Sequence, residues 1–154
     1  MTMTQEEIDR STARLAKACR KSGAKLTHQR MEVFREVAQS AGHPDAAAVF
    51  KGVRGRLPTV SMDTVYRALW WLKDLGFITL LWPRREGTRF DANLKLHHHF
   101  VCTGCGIIRD FFSDDLDSLD LPESVLSIGN PEKTRVEARG LCLSCAASGK
   151  TDAA

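Results

Sequence analysis

SMDTVYRALWWLKDLGFITLLW, residues 61–82, reads as a helix that runs directly into a strand, and a second β-type run, TRFD, follows at 88–91. Ser61 is a good N-cap, because its hydroxyl can accept one of the unpaired N–H groups of a first helical turn. Val65, Ala68, Leu69 and Leu72 recur at three- and four-residue steps and so share a buried side, and Gly76 closes the helix. FITLLW and TRFD are separated by PRREG, which predicts a hairpin with a basic tip. Upstream lie three more helical patterns. Helices followed by a basic hairpin make a winged helix-turn-helix, an architecture that reads DNA.

The upstream helices have their own punctuation. Thr4 followed by Glu7 forms a capping-box pattern, and the helix it opens runs to about Ser22, with Gly23 as its stop. Thr27 caps a second helix, in which Met31, Phe34, Val37 and Ala38 keep helical spacing. His43-Pro44 marks a turn. Asp45 opens a short third helix with Ala46, Val49, Phe50 and Val53 on one face, and Leu57-Pro58 ends it.

After Asp91 the texture changes. ANLKL reads as a hinge, HHFVC and IIRDFF as strands flanking a C-x-x-C pair, and DDLDSLDL as a short acidic-capped helix. TRVEARG is a further strand leading into a second C-x-x-C, and AASGKTDAA at the end is expected to be disordered. The domains expected are therefore a winged-helix domain over 1–90, a hinge at 91–96, a small α/β domain over 97–147 and a tail at 148–154. The fold class is α+β.

Four of the five cysteines form the two C-x-x-C pairs, and Cys19 stands apart as a small apolar residue of the first helix. Nothing in MTMTQEEIDR suggests a secretory signal, and no apolar run approaches the roughly 20 residues that span a bilayer. A cytoplasmic protein is expected, and in a reducing compartment such cysteines chelate zinc more often than they form disulfides. Cys102, Cys105, Cys142 and Cys145 would supply four thiolates in tetrahedral array with no open position, so the zinc would be structural. The other reading, a redox-active dithiol, lacks the βαβ context of thioredoxin folds.

The histidines of LHHHFVCTGCG (96–106) need a different explanation, since four thiolates saturate zinc. Alternation along a strand lets His97 and His99 point together while His98 points away. With Asp91 and Asp110 close in sequence, a His/Asp set suits a harder ion than zinc in a sulfur site, such as Fe(II) or Mn(II). Taken singly, a hinge histidine is ordinarily solvated and Asp110 could cap or pair, so composition leaves this second site open.

Charge is unevenly distributed. Residues 1–90 carry 16 Lys and Arg against 9 Asp and Glu, whereas residues 91–154 carry 6 against 10. A basic N-terminal half is what binding to a phosphate backbone requires, although solvated helix faces alone can produce such an excess. On the fourth helix Ser61, Thr64, Tyr66 and Arg67 occupy the first two turns, where a recognition helix meets bases and phosphates. Trp70 and Trp71 read as packing residues.

Taken in order, LTHQR, AGHPDAAAVF, SMDTVYRAL, RFD, HHHFVCTGCG and LCLSC closely resemble the Fur (ferric uptake regulator) family of metal-dependent repressors, from about Lys25 to Cys145. The resemblance implies a homodimer with winged-helix domains at its ends, joined through an α/β dimerisation domain that carries structural Zn(II). Each winged helix would read half of a palindromic double-stranded operator. It further implies a regulatory metal, Fe(II) or Mn(II), held by His43, Asp91, His97, His99 and Asp110. The three-His, two-Asp pattern resembles the peroxide-sensing repressors of the family, in which Asp occupies the Asp110 position. There, peroxide reacting at Fe(II) oxidises a ligand histidine and releases metal and DNA; His43 and His97 match the oxidised positions.

Iron-uptake repressors of the same family more often carry Glu at these places, and many add a further site. His98 and Asp117 could contribute to one, but KTR precedes the last strand where those relatives have histidine. For DNA, the resemblance places Lys25 at the minor groove or backbone, Tyr66 against thymine methyls and Arg67 at base edges or phosphates. Arg30, Ser61 and Thr64 would lie nearer the backbone. Asp63 departs from the family, where a small residue is usual; a carboxylate there would repel phosphate or accept from a cytosine amino group. Two other classes fit less well. A zinc-dependent enzyme would need H-E-x-x-H or H-x-E…P-C-x-x-C, neither of which occurs, and no enzyme activity is expected. A zinc-stapled interaction module without DNA binding is the other, and salt-dependent binding to duplex DNA would separate a repressor from both.

Overall fold

The computed structural model describes residues 3–81 and 87–149, which fall into two compact units divided between Leu94 and Lys95. In the first, each helix begins where a short polar side chain meets an unpaired amide. Thr4 and Glu7 form a reciprocal box, with the Glu7 N–H donating to Thr4 Oγ1 at 3.3 Å and the Thr4 N–H donating to Glu7 Oε2 at 2.9 Å, at the start of α1 (Gln5–Ser22). Thr27 accepts from the Arg30 amide at 3.2 Å and opens α2 (His28–Gln39). Asp45 accepts from Ala48 at 2.8 Å and opens α3 (Ala46–Arg56), and Ser61 accepts from Thr64 at 3.1 Å and opens α4 (Met62–Asp74). At its far end Gly76 turns left-handed (φ 74°), which lets the Phe77 N–H reach back to the Leu72 carbonyl at 2.9 Å.

That turn aims the chain into β1 (Thr79–Leu81), which pairs antiparallel with β2 (Arg89–Asp91), Leu80 lying opposite Phe90. β1 starts later than the FITLLW pattern suggests, because the backbone of Phe77 is committed to closing α4. The expected basic tip falls on residues 82–86, outside the described residues. One core joins Leu15 and Cys19 of α1, Val33, Phe34 and Val37 of α2, Val49 and Val53 of α3, and Val65, Leu69 and Leu72 of α4 to Ile78 and Phe90 of the wing. α2 is central, packing on the other three helices and on β2. Its Phe34 meets Phe77 edge to face, ring centroids 6.2 Å apart.

The second unit is a three-stranded sheet in the order β4-β3-β5, built from β3 (His98–Cys102), β4 (Ile108–Phe111) and β5 (Glu137–Gly140). β3 pairs antiparallel with β4 and parallel with β5. A parallel neighbour demands a long crossover, and residues 112–136 supply it with two single-turn helices, α5 (Asp114–Asp117) and α6 (Glu123–Leu126). The acidic-capped helix read from DDLDSLDL thus covers one turn only. α6 and α7 (Leu143–Ala147) have no counterpart in the sequence reading, since segments this short show no period; α7 takes in Ala146 and Ala147, expected to begin a disordered tail, and residues 150–154 of that tail lie outside the described residues. Among the described residues of this unit, the only buried apolar side chains are Val101, Cys102, Ile108 and Cys145. No helix among the described residues is long and apolar enough to cross a membrane.

Candidate metal centres and nucleic-acid interface

The first C-x-x-C is the tight turn between β3 and β4, and the second begins at Cys142, the N-cap of α7. Pairing of β3 with β5 brings the turns together, with Cys102 opposite Gly140 and the Thr103 N–H donating to the Gly140 carbonyl at 2.9 Å. The first knuckle is closely packed at Gly104, where a Cβ would stand 2.9 Å from the mobile Leu141 Cδ2 and 3.2 Å from the Cys145 sulfur. The sulfurs of Cys102, Cys105, Cys142 and Cys145 all lie within 4.8 Å of one another, and Cys105 and Cys142 are 3.9 Å apart. Tetrahedral zinc with Zn–S bonds of about 2.3 Å places its sulfurs about 3.8 Å apart. The four residues fit zinc.

Their electrostatics point the same way. The Cys142 N–H, 3.2 Å from the Cys102 sulfur, leads a set of backbone amides that outweighs burial and brings the Cys102 thiol down to about 6. Cys145 is pushed up to about 12 by burial and by the neighbouring sulfurs. Four sulfurs packed this closely cannot all ionise together unless a cation compensates them.

Beside this cluster, the strand alternation places His97 and His99 on one side and His98 on the other. His97 Nδ1 donates to the Lys95 carbonyl at 2.7 Å, so in the neutral ring Nε2 carries the lone pair. That Nε2 lies 3.0 Å from His99 Nε2, while Asp110 Oδ1 is 3.7 Å from the first and 3.6 Å from the second. The register makes this possible, since His99 pairs with Asp110 across the β3–β4 ladder. Donors each about 2.1 Å from one ion lie about 3.0 Å apart at right angles and about 3.4 Å apart at tetrahedral angles, and separations of 3.0 to 3.7 Å bring all three within reach of one ion.

His43 and Asp91 belong to the other unit. His43 sits in the left-handed region (φ 50°) and is held beside β2, where Phe90 N–H donates to the Pro44 carbonyl at 3.0 Å. Its Nδ1 is 3.7 Å from Asp91 Oδ1, and that oxygen also accepts from the Asn93 amide at 2.8 Å. A non-glycine residue held left-handed costs on the order of 1 kcal/mol or more, and such strain gathers at functional sites.

His98 is fully buried and differently employed. Its Nδ1 accepts from the Val136 N–H at 3.1 Å, so the neutral ring carries its proton on Nε2, 3.0 Å from Asp117 Oδ1 and off the ideal hydrogen-bond axis. These two contacts tie the crossover to β3 and bring together His98 and Asp117, the pair that could contribute to a further metal site.

On α4, Met62, Asp63, Tyr66 and Arg67 form an exposed face opposite the buried Val65, Ala68 and Leu69. Ser61 and Thr64 are engaged with one another, Oγ to Oγ1 at 2.9 Å, in the cap of the helix. Arg30 donates from Nη1 to the Lys25 carbonyl and stacks its guanidinium 4.1 Å from the Trp71 ring centre, fastening the start of α2 to α4. Tyr66 leans edge-on against Trp70, centroids 6.0 Å apart. The two tryptophans are therefore supports for Arg30 and Tyr66, which helical periodicity alone does not reveal.

Residues 21–125 match the model of the ferric uptake regulator family. A peroxide-responsive repressor of Staphylococcus epidermidis is 30% identical over 149 residues, covering 97% of this chain and 99% of that protein. Among solved structures, the ferric uptake regulator of Helicobacter pylori superposes with a TM-score of 0.73 at 23% identity, covering 90% of this chain and 93% of the other. A zinc uptake regulator complexed with zinc and DNA gives a TM-score of 0.64 at 22% identity, covering 95% and 98%. With the family model matched over most of its length and a relative alike from end to end, this chain belongs to the ferric uptake regulator family.

Proposed function

We propose that this protein is a metal-dependent transcriptional repressor of the peroxide-responsive kind, active as a homodimer on palindromic operator DNA. Cys102, Cys105, Cys142 and Cys145 hold structural Zn(II). His43 and Asp91, with His97, His99 and Asp110, bind a regulatory Fe(II) or Mn(II). The observation that carries the reading is the trio His97, His99 and Asp110, with His97 tautomerically fixed and the carboxylate supplied by Asp. The likeness to a peroxide-responsive repressor supports the subtype. The DNA-binding reading draws on the exposed α4 face, the basic first unit and the fold shared with a regulator seen on DNA. Phe112, Leu119, Leu126, Ile128 and Leu143 are large exposed apolar side chains of a second unit that has little core of its own, which supports a dimer formed there.

Donors drawn from both units make the ion a ligand of one arrangement of the chain over others, so its binding shifts the population toward the DNA-competent arrangement. Fe(II), when bound, supplies the electron that activates peroxide, and His97 and His43 are the rings that take up oxygen. Peptide mass spectrometry after anaerobic Fe(II) loading and a small excess of peroxide, with a Mn(II)-loaded control and parallel operator binding, tests this. One added oxygen on His97 or His43, seen only with iron and accompanied by loss of DNA binding, is expected. Unmodified histidines with retained binding would make the protein a repressor that reports metal supply.

A further inference from the structure

On the exposed face of α4, Arg67 Nε lies 2.9 Å from Asp63 Oδ2, an ion pair between side chains that are 80% and 70% exposed. Helix stability does not account for the pair, since an i,i+4 contact this exposed contributes little. Backbone affinity does not account for it either, because a carboxylate on a face laid against phosphates weakens the attraction. Its geometry suits base reading. With Asp63 paired on the Nε side of the guanidinium, the two terminal amino groups of Arg67 are left for other acceptors, and side by side they match O6 and N7 of guanine.

We propose that Asp63 is a specificity-determining residue that positions Arg67 to read one guanine in each half of the operator. The proposal rests on α4 being the recognition helix. An unrestrained arginine sweeps a wide arc and settles on any phosphate. Asp63 limits that arc and offsets the pull of the phosphates, so Arg67 contributes fully only where a guanine receives it. Beside the pair, Met62 and Tyr66 are 40% and 48% exposed and offer apolar surface of the kind that meets thymine methyl groups. The face therefore combines an apolar reader with a guanine reader, and Asp63 separates this chain's operator preference from one built on apolar contacts alone.

The test is selection from a randomised duplex pool by the full-length Mn(II)-loaded protein, followed by competition titrations over a range of salt. Wild type, D63A, D63E, R67A and the double variant are compared. Wild type should prefer guanine at one position per half-site by about tenfold. D63A and R67A should each lose that preference at the same position, the double variant should lose no more than either, and D63E should restore part of it. D63A should also bind random duplex a few-fold tighter than wild type. If D63A keeps the guanine preference and changes only the melting temperature, Asp63 is merely a favourable charge at a helix start, and the proposal fails while the repressor reading stands. If the wild type binds neither the pool nor promoter fragments with Mn(II), the repressor reading fails and this one with it.

Discussion

Cys142 shows what a single residue does in this chain. It caps α7, donates its amide to the Cys102 sulfur and places its own sulfur 3.9 Å from that of Cys105. The second unit buries so few apolar side chains that its stability has to come from elsewhere, and structural zinc contributes on the order of 10 kcal/mol in small zinc domains. Cys142→Ser is expected to abolish stoichiometric zinc and to unfold the second unit, as read by metal analysis and by loss of its β signal in circular dichroism. Zinc retained at one per chain, with unchanged melting, would rule out the four-sulfur assignment. Asp110 makes a complementary point: its place beside His97 and His99 depends on the β3–β4 register, so sliding that pairing by one residue would turn it to the other face.

At the scale of elements, α2 carries a device that apolar periodicity hides. Its helical pattern suggests Met31 as a core residue, yet Glu32 and Val33 are buried and Met31 lies at the rim. Glu32 accepts from Arg35 at 3.0 Å and from Arg56 at the end of α3 at 2.6 Å, and Arg56 also donates to Glu36 at 2.8 Å. Burial acts to raise the Glu32 carboxyl, but the hydrogen bonds and charges of Arg56 and Arg35 outweigh it and hold it below its ordinary value of 4.5. A carboxyl depressed by folding stabilises fully above its unfolded value and loses that contribution as pH falls through the folded one. Glu32→Gln should therefore destabilise the first unit by about 1–3 kcal/mol at neutral pH, the lower part of the range being favoured because Arg56 is partly solvated. The gap in melting temperature between wild type and variant should close as pH drops below 4.5. A gap independent of pH would show that the ion pair is not the source.

For the whole molecule, the central expectation is that metal and DNA are linked. His97→Ala should keep zinc yet lose the dependence of operator affinity on Mn(II) or Fe(II), a coupling of about 5- to 150-fold in linked systems. Fluorescence anisotropy with and without metal reads this directly, and metal-independent binding by the wild type would remove the linkage. The elements of the first unit were legible in sequence because their determinants are local: caps at Thr4, Thr27, Asp45 and Ser61, left-handed glycines after α1 and α4, and apolar spacing between them. The cysteine pairs were legible for the same reason, each being a short motif whose spacing meets the geometry of an ion. The parallel pairing of β5 with β3, the His98–Asp117 tie, the Glu32–Arg56 bridge and the stacking of Arg30 on Trp71 were not. Apart from the caps and spacings, each joins residues tens of positions apart whose side chains are individually ordinary. Sequence by itself determined which segments are helix or strand and which residue types are available to bind ions; tertiary structure alone decided which of those groups meet, because distance through space, not along the chain, sets the strength of a charge or a hydrogen bond.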